Sequence, residues 1–514
     1  MTARLLLALP LLVACPAGDA DGDGHEAPAD CDDSDPAVYP GAAELCGDGI
    51  DQDCEPGPGD CRYDGVASAA DLASLIPFDS ERSDAGAALA TGDFDGDGWP
   101  DAAVGVPGLD AGASDAGGVW LLFGGPEGFV RTATLPWGVR DARAGAALAV
   151  GDFDGDGQDD LAVGAPGSEP IFEGTDESTG FGAGAVIVAR GPLAEGPLTG
   201  SLWAGRDPGD CAGSALSVAD LDDDGADELL AGAPCRGAAR ALDPPTGLWV
   251  LGYGAGEAYG LLDPLAGGAL ADADVRWPGG EAWERAGAAV AQAGDAVLVG
   301  APNYFGAEWI HPAARGRVRA FPRSGRGEVV AATATSDFVG NCCGAERFDS
   351  IGTAVHPVGG GALLGAPGLN DFAVLGGAFY FDAVPSGEVS AWDGVILAAP
   401  PVPDSDTEAG SVLGSADLDC DGVVDLIVAA PRTAGGAEES GGLFVAFDSP
   451  TGFVELADAA FELQGTRTDE RLGSALATAD FDGDGCDDII IGAEGHGAGG
   501  HRAGAVWLLR GRGP

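Results

Sequence analysis

Short apolar runs of strand length, each closed off by Gly, Pro or Asp, recur along residues 71–514. Asp101-Ala102-Ala103-Val104, Val119-Trp120-Leu121-Leu122-Phe123, Leu248-Trp249-Val250-Leu251 and Val506-Trp507-Leu508-Leu509 are examples. Apolar runs this short between turn residues predict strands rather than helices. They follow a fixed order. A small-Gly pair comes first (Ala85-Gly86, Ala144-Gly145, Ala212-Gly213, Ala286-Gly287, Ile351-Gly352, Ala409-Gly410, Leu472-Gly473), then an apolar strand, an acidic loop and a second apolar strand. That second strand ends at Gly105-Val106-Pro107, Gly164-Ala165-Pro166, Gly232-Ala233-Pro234, Gly300-Ala301-Pro302, Gly365-Ala366-Pro367, Ala429-Ala430-Pro431 or Gly492-Ala493-Glu494. A third strand and a weaker fourth follow, the latter at Arg131 to Trp137 in the first copy. The copies repeat at intervals of 59, 68, 68, 65, 64 and 63 residues. Such a period predicts an all-β fold, a seven-bladed β-propeller of four-stranded blades.

The ends of the chain predict how the ring closes. The seventh copy stops after its third strand at Pro514, and Ile76-Pro77-Phe78 precedes Gly86 by the offset at which Leu135-Pro136-Trp137 precedes Gly145. An N-terminal strand is therefore expected to complete the last blade and remove two sheet edges.

The acidic loops carry the chemistry. Asp93, Asp95, Asp97 and Asp101 stand at positions 1, 3, 5 and 9 of the first loop. The same places are held by Asp152, Asp154, Asp156 and Asp160, by Asp220, Asp222, Asp224 and Glu228, by Asp417, Asp419, Asp421 and Asp425, and by Asp480, Asp482, Asp484 and Asp488. Alternate side chains of a tight loop point inward, and Gly at position 6 of all five loops permits the turn, as in an EF-hand loop. Two carboxylates ~4–5 Å apart repel by roughly 3–4 kcal/mol at an effective dielectric of ~20, so a cluster of four calls for a cation. About five Ca²⁺ in the propeller are expected. The fourth and fifth copies have Gly294-Asp295 and Gly359-Gly360-Gly361 at this place and need no ion. All five loops should share one face of the propeller, where calcium binding only the folded form acts structurally.

The small-Gly pair, acidic loop and Gly-Ala-Pro resemble FG-GAP repeats, the units of the integrin α-chain propeller and of many bacterial surface proteins. The resemblance covers residues 71–514, and the first motif here is mostly Ala-Gly rather than Phe-Gly. It implies a calcium-binding cell-surface protein active in adhesion or protein binding.

Composition agrees. Gly is abundant at 89 residues, Met occurs once and Lys is absent, a profile poor in helix formers. The net charge of −59 excludes nucleic acid as a partner, because phosphate contacts need clustered cations. Residues 1–15 read as an export signal, with Arg4 before an apolar run too short to span a bilayer. Leu12-Val13-Ala14-Cys15 resembles the lipobox of bacterial lipoproteins, which implies acylation of Cys15 and a lipid anchor in the bacterial cell envelope, at the outer membrane or cell surface. Residues 16–29 read as an acidic, disordered linker, 30–61 as a Cys/Asp-rich module and 62–70 as a second linker.

The module runs Asp30-Cys31-Asp32-Asp33-Ser34-Asp35-Pro36, through Tyr39-Pro40-Gly41-Ala42, to Glu44, Cys46, Asp48, Gly49, Asp51, Asp53 and Cys54. It resembles the MopE-like metal-binding motif named after a copper-binding surface protein. Its hard carboxylate donors favour Ca²⁺ over Cu⁺, so further calcium is expected there. Setting Cys15 aside leaves ten cysteines, an even number suited to disulfides in an oxidising compartment. Cys31, Cys46, Cys54 and Cys61 imply two local bridges of open connectivity, Cys211 and Cys235 flank paired strands, and Cys420 and Cys486 each lie in an acidic loop.

No Gly-x-Ser-x-Gly, His-Glu-x-x-His or P-loop occurs, and the scattered His25, His311, His356, His496 and His501 read as surface or turn residues, so a non-catalytic role is expected. The longest connections, Gly167 to Gly182, Asn303 to Arg315 and Arg432 to Gly441, lie opposite the acidic loops, and the first two hold Phe172, Phe181, Tyr304, Phe305 and Trp309. Loops on a rigid scaffold commonly carry recognition. The expected partner is a surface protein; a glycan held in lectin fashion is the alternative, and an envelope hydrolase a more distant one.

Overall fold

The computed structural model describes residues 19–42, 50–54 and 62–513, apart from 28, 51, 127, 169–181, 238–239, 243–248, 252–253, 281–283, 304–315, 324–326, 330–332, 341–348, 370–375, 401–406, 449 and 460. The leader with Cys15, Cys46, Cys61, Cys342-Cys343 and the five loop aromatics lie outside the described residues.

Blade 1 is a plain four-stranded antiparallel sheet of Leu89–Gly92, Asp101–Gly105, Gly118–Phe123 and Arg131–Pro136. The same meander forms blades 2 to 6, with second strands Asp160–Ala165, Glu228–Ala233, Ala296–Ala301, Gly361–Gly365 and Asp425–Ala429. In blade 3 the third strand is Glu257–Leu261; the apolar run expected to supply it, Leu248 to Leu251, instead places Trp249–Leu251 in an inserted hairpin, paired with Arg240–Leu242. In blade 7, Leu472–Ala479, Asp488–Ala493 and Ala505–Leu509 are completed by Ser74–Pro77, which pairs antiparallel with the third strand. The innermost strands of neighbouring blades contact one another all the way round, so the ring is closed as expected.

Five sheets gain a fifth, short, parallel strand that the sequence did not announce. Gly268–Ala269 adds to the outer strand of blade 2, Gly327–Glu328 to blade 3, Gly387–Ser390 to blade 4 and Phe453–Glu455 to blade 5. Each comes from the connection between the third and fourth strands of the next blade. Val66–Ser68 does the same for blade 6, pairing with Phe461–Gln464. The linker expected at 62–70 is thus part of the propeller: Tyr63 stacks on Phe461 at 4.8 Å, and Ala69 is fully buried. Backbone pairing and ring stacking outweigh the polar character that made this stretch look like a spacer.

The cores lie between blades. Ala103, Val119 and Leu121 of blade 1 pack with Leu161, Val163 and Ile187 of blade 2, whereas Ala102, Val104 and Leu122 pack with Ile490, Val506 and Leu508 of blade 7. The alternation of a strand sends successive side chains to opposite neighbours, so the second strands are buried on both faces and read as continuous apolar runs. The recurrent glycines set the spacing. A Cβ on Gly105 would lie 2.1 Å from Gly145 O, and one on Gly164 2.1 Å from Gly213 O. Each Gly-Ala-Pro glycine therefore lets the small-Gly pair of the next blade lie directly against it.

Disulfides join Cys31 to Cys54, Cys211 to Cys235 and Cys420 to Cys486. The last crosses from the acidic loop of blade 6 to that of blade 7. Among the described residues no helix is long and apolar enough to cross a membrane.

Candidate metal centres

Each acidic loop joins a first strand to a second, so all five fall at one end of the barrel-like ring. The turn is the same in each. Asp93 Oδ1 accepts the N–H of Gly96 at 2.7 Å and its Oδ2 that of Gly98 at 2.9 Å, while Asp97 Oδ1 accepts from Trp99 N–H at 2.9 Å. Asp480 accepts from Gly483 and Gly485 at 2.7 and 3.0 Å, and Asp484 from Cys486 at 2.9 Å. Asp152 takes Gly157, Asp220 takes Asp223 and Asp417 takes Gly422. Position 1 thereby shapes the turn with its own carboxylate, an Asx-type arrangement.

Position 9 closes the loop from below. Asp101, Asp160, Glu228, Asp425 and Asp488 are at most 1% exposed. Asp101 Oδ2 accepts from Phe94 N–H at 2.8 Å and its Oδ1 from Gly124 N–H at 2.7 Å, at the end of the third strand. Asp160, Asp425 and Asp488 repeat both bonds, and Glu228 makes the first to Leu221. Burial is the main cause that pushes these carboxyls up, to about 6 for Asp101 and about 7 for Glu228, Asp425 and Asp488; the neighbouring loop carboxylates add to it, and the backbone N–H bonds oppose it.

Carboxylate oxygens of Asp93, Asp95 and Asp101 lie within 4.8 Å of one another, as do those of Asp152, Asp154 and Asp156, of Asp222, Asp224 and Glu228, and of Asp417, Asp419 and Asp421. Three of the four expected acids are thus brought together in each of these four loops. Asp95 Oδ1, Asp417 Oδ1, Asp419 Oδ1 and Asp482 Oδ1 are buried with no hydrogen-bond partner among the described residues. Orphaned buried acceptors facing other acceptors are costly, and hard oxygen donors in this number fit a divalent cation such as Ca²⁺. The positions that would hold it are 1, 3, 5 and 9.

Two features of these loops were not read from the sequence. The first is a link between loops. Asp159, at position 8 of the second loop, accepts from Asp93 N–H at 2.7 Å; Asp227 accepts from Asp152 N–H at 3.0 Å and Asp487 from Asp417 N–H at 2.9 Å. Gln292, in the first strand of blade 4 just before its short turn, takes the same place against Asp220 N–H at 2.7 Å. The signal was an extra Asp just before position 9 in three loops. The second feature is a guanidinium at each cluster: Arg131 at Asp95, Arg190 at Asp154 and Asp156, Arg323 at Asp220 and Asp223, Arg62 at Asp419, and Arg510 at Asp482. They bear on the outer oxygens and offset part of the negative charge.

The opposite end of the axis carries a cavity of about 360 Å³ lined by the entry ends of all seven innermost strands, among them Leu89, Leu148, Leu216, His356, Leu413 and Leu476. His356 lies 3.0 Å from Ser415 Oγ, and desolvation holds its imidazole down at about 4. His496 is 1% exposed and packs edge-on to Trp507. His356 stands on the first strand of blade 5 and lines the axial cavity, so it is not the surface or turn residue expected; His496 lies, as expected, in a connection, the one after Asp488–Ala493, but is buried there.

At the N-terminus, Asp30 is buried ahead of the Cys31–Cys54 bridge, Val38 and Ala42 form a small apolar centre, and Tyr39 N–H donates to Gln52 O at 2.7 Å. The linker expected at 16–29 begins as an ordered turn: Asp19 accepts from Gly22 and Gly24, and His25 stacks on Tyr39 at 5.0 Å.

A family model described as FG-GAP repeat matches residues 85–122, 144–188 and 472–509, the first three strands of blades 1, 2 and 7. The Cu-binding MopE model, described as a metal-binding motif, matches residues 30–57 and again 415–425, the acidic loop of blade 6. Over 96 residues the chain is 35% identical to phosphatidylinositol-glycan-specific phospholipase D of Rattus norvegicus, a stretch that is 18% of this chain and 11% of that protein. Blades 3 to 6 keep the same strand order and the same glycine contacts between blades as the matched ones, Ala429 excepted. The chain therefore carries FG-GAP repeats on a seven-bladed β-propeller, preceded by a MopE-like metal-binding motif.

Proposed function

We propose that this chain is a non-catalytic binding protein of the bacterial cell surface, with a propeller made rigid by about five Ca²⁺. The observation that carries the reading is the set of partnerless buried oxygens on Asp95, Asp419 and Asp482, all at position 3 of their loops, and on Asp417 at position 1. Calcium there would act structurally, because the loops are tied to one another and to the strand ends rather than arranged around a reactive group. Both matched families support an extracellular or surface setting. A lipid on Cys15 would be the tether. The ligand, a surface protein in the first instance, would meet the face opposite the acidic loops, where Arg432 to Gly441 and the axial cavity lie.

The test has two arms. Metal analysis of the purified chain after dialysis should find calcium in several-fold molar excess, and a chelator should lower its melting temperature. Binding to isolated envelope proteins and to a glycan array, each in calcium and in chelator, should give calcium-dependent protein binding. A metal-free chain of unchanged melting temperature, or turnover of ester or phosphodiester substrates, would sink the reading.

A further inference from the structure

The segment that runs into the matched motif, from Asp19 to the motif's first residue Asp30, holds chemistry that the propeller does not use. Asp19-Ala20-Asp21-Gly22-Asp23-Gly24 opens a stretch ending at Asp30. Acids therefore stand at positions 1, 3, 5 and 12 with Gly at 6, the order of an EF-hand loop with Asp for the final Glu. Carboxylate oxygens of Asp19, Asp21 and Asp23 lie within 4.8 Å of one another.

An acidic turn alone is a common surface feature, and Asp30 is what distinguishes this one. It is 4% exposed, and its Oδ2 has no hydrogen-bond partner among the described residues, while its Oδ1 accepts from Asp32 N–H at 2.9 Å. The Asp19 turn is held beside this part of the chain, because Ala20 N–H donates to Asp33 Oδ1 at 2.9 Å and Asp30 N–H to Glu26 O at 3.3 Å. Asp21 Oδ2 and Asp23 Oδ2 are also buried without a partner. Every propeller cluster has an arginine against it, whereas no ion pair among the described residues reaches these four acids.

We propose that residues 19–30 bind one divalent cation of the Ca²⁺ class through the carboxylates of Asp19, Asp21, Asp23 and Asp30. The ion would fasten the segment from Asp19 onward to the disulfide-bonded module. Asp30 directly precedes Cys31, Ala20 N–H donates to Asp33 Oδ1 at 2.9 Å, and the His25 ring lies on Tyr39. The site shares no residue with the propeller loops and stands whether or not those hold calcium.

The full-length mature chain tests this by counting bound calcium after dialysis. The double variant Asp21→Asn/Asp30→Asn should hold one ion fewer than the wild type, with the propeller melting temperature unchanged. Glu26→Gln removes an exposed acid from the same loop and should keep the wild-type count. Should the double variant fail to form the Cys31–Cys54 bridge, Asp21→Asn alone replaces it and should also lose one ion. An unchanged count in the aspartate variants, or an equal loss in Glu26→Gln, overturns the proposal. If the propeller binds no calcium, the wild type should still hold one ion more than the double variant, so the two readings fail separately.

Discussion

Gly492 of the last blade lies so close to Gly86 of the first that a Cβ on Gly492 would sit 2.1 Å from Gly86 O. The contact closes the ring, and it is the one that Gly105 makes with Gly145 and Gly232 with Gly287. Blade 6 has Ala429 at this place, and there the facing strand of blade 7 shifts register between Leu472 and Leu476. A methyl group at the other junctions has no such relief. Gly492→Ala and Gly105→Ala should each lower stability by about 1–3 kcal/mol, as overpacking does. Gly360→Ala, with nothing within 4 Å, should leave the urea midpoint where it is. Equal midpoints for all three variants would remove the steric account of the repeat.

Removing calcium should affect the propeller as a whole rather than one loop. A ligand at 100 times its dissociation constant stabilises the fold by about 2.7 kcal/mol per site. Several filled loops should therefore raise the melting temperature by many degrees, and calorimetry with and without chelator measures it. Asp482→Asn should remove part of that difference, because Asp482 Oδ1 has no other partner among the described residues.

Much of this was legible because the repeat encodes the blade. The small-Gly pair, the loop acids and the Gly-x-Pro each have a local signature, and a missing fourth strand at one end with a spare one at the other is visible in the spacing. What escaped were contacts between segments remote in sequence. Val66–Ser68 is only three residues long, and only its pairing with Phe461–Gln464, nearly 400 residues away along the chain, makes it a strand. Arg62 looked like part of a spacer, yet it bonds Asp419 at 2.6 Å. His356 carries no local sign of the axial cavity it lines, nor His496 of the packing that buries it in its connection. The turn at Asp19 was readable from its residues, and the acidity around it obscured it.

The bond from Asp93 N–H to Asp159 makes neighbouring loops interdependent. Asp159→Ala leaves that N–H unpaired in a part-buried place, a change worth about 1–3 kcal/mol. It should weaken calcium binding at the first loop, whose own four acids are untouched. Asp159→Asn keeps an acceptor and should behave almost as the wild type. Calcium titration of each variant decides, and equal affinities for alanine and asparagine would show that the link has no part in the site.

The Cys420–Cys486 bridge ties the same kind of pair covalently, between blades 6 and 7, across 66 residues. A bridge closing a loop of that length typically contributes about 2–4 kcal/mol, mainly by restricting the unfolded chain. The variant Cys420→Ser/Cys486→Ser should show that loss in denaturant unfolding. Digestion without reductant should recover the two cysteines in one linked peptide, and their recovery apart would contradict the pairing.

Stability should also depend on pH in a direction that reverses with calcium. In the metal-free chain, burial raises Asp101 to about 6 and Glu228, Asp425 and Asp488 to about 7, above their ordinary values of 3.8 for Asp and 4.5 for Glu. Between the ordinary and the raised values the folded form binds more protons than the unfolded form, so its stability falls as pH rises. The contribution is fully present below the ordinary values and is lost as pH climbs through 6 to 7. His356, held down at about 4, works the other way. Its contribution is present above the ordinary imidazole value and fades as pH drops towards 4, so His356→Gln isolates the carboxyl effect. A bound divalent ion holds the position 9 carboxylates ionised and removes their penalty, so the gain in melting temperature from calcium should grow from pH 5 to pH 7.5. Melting curves at both pH values, with calcium and with chelator, give four numbers. A calcium gain that is the same at both would mean that these buried acids are not coupled to the ion.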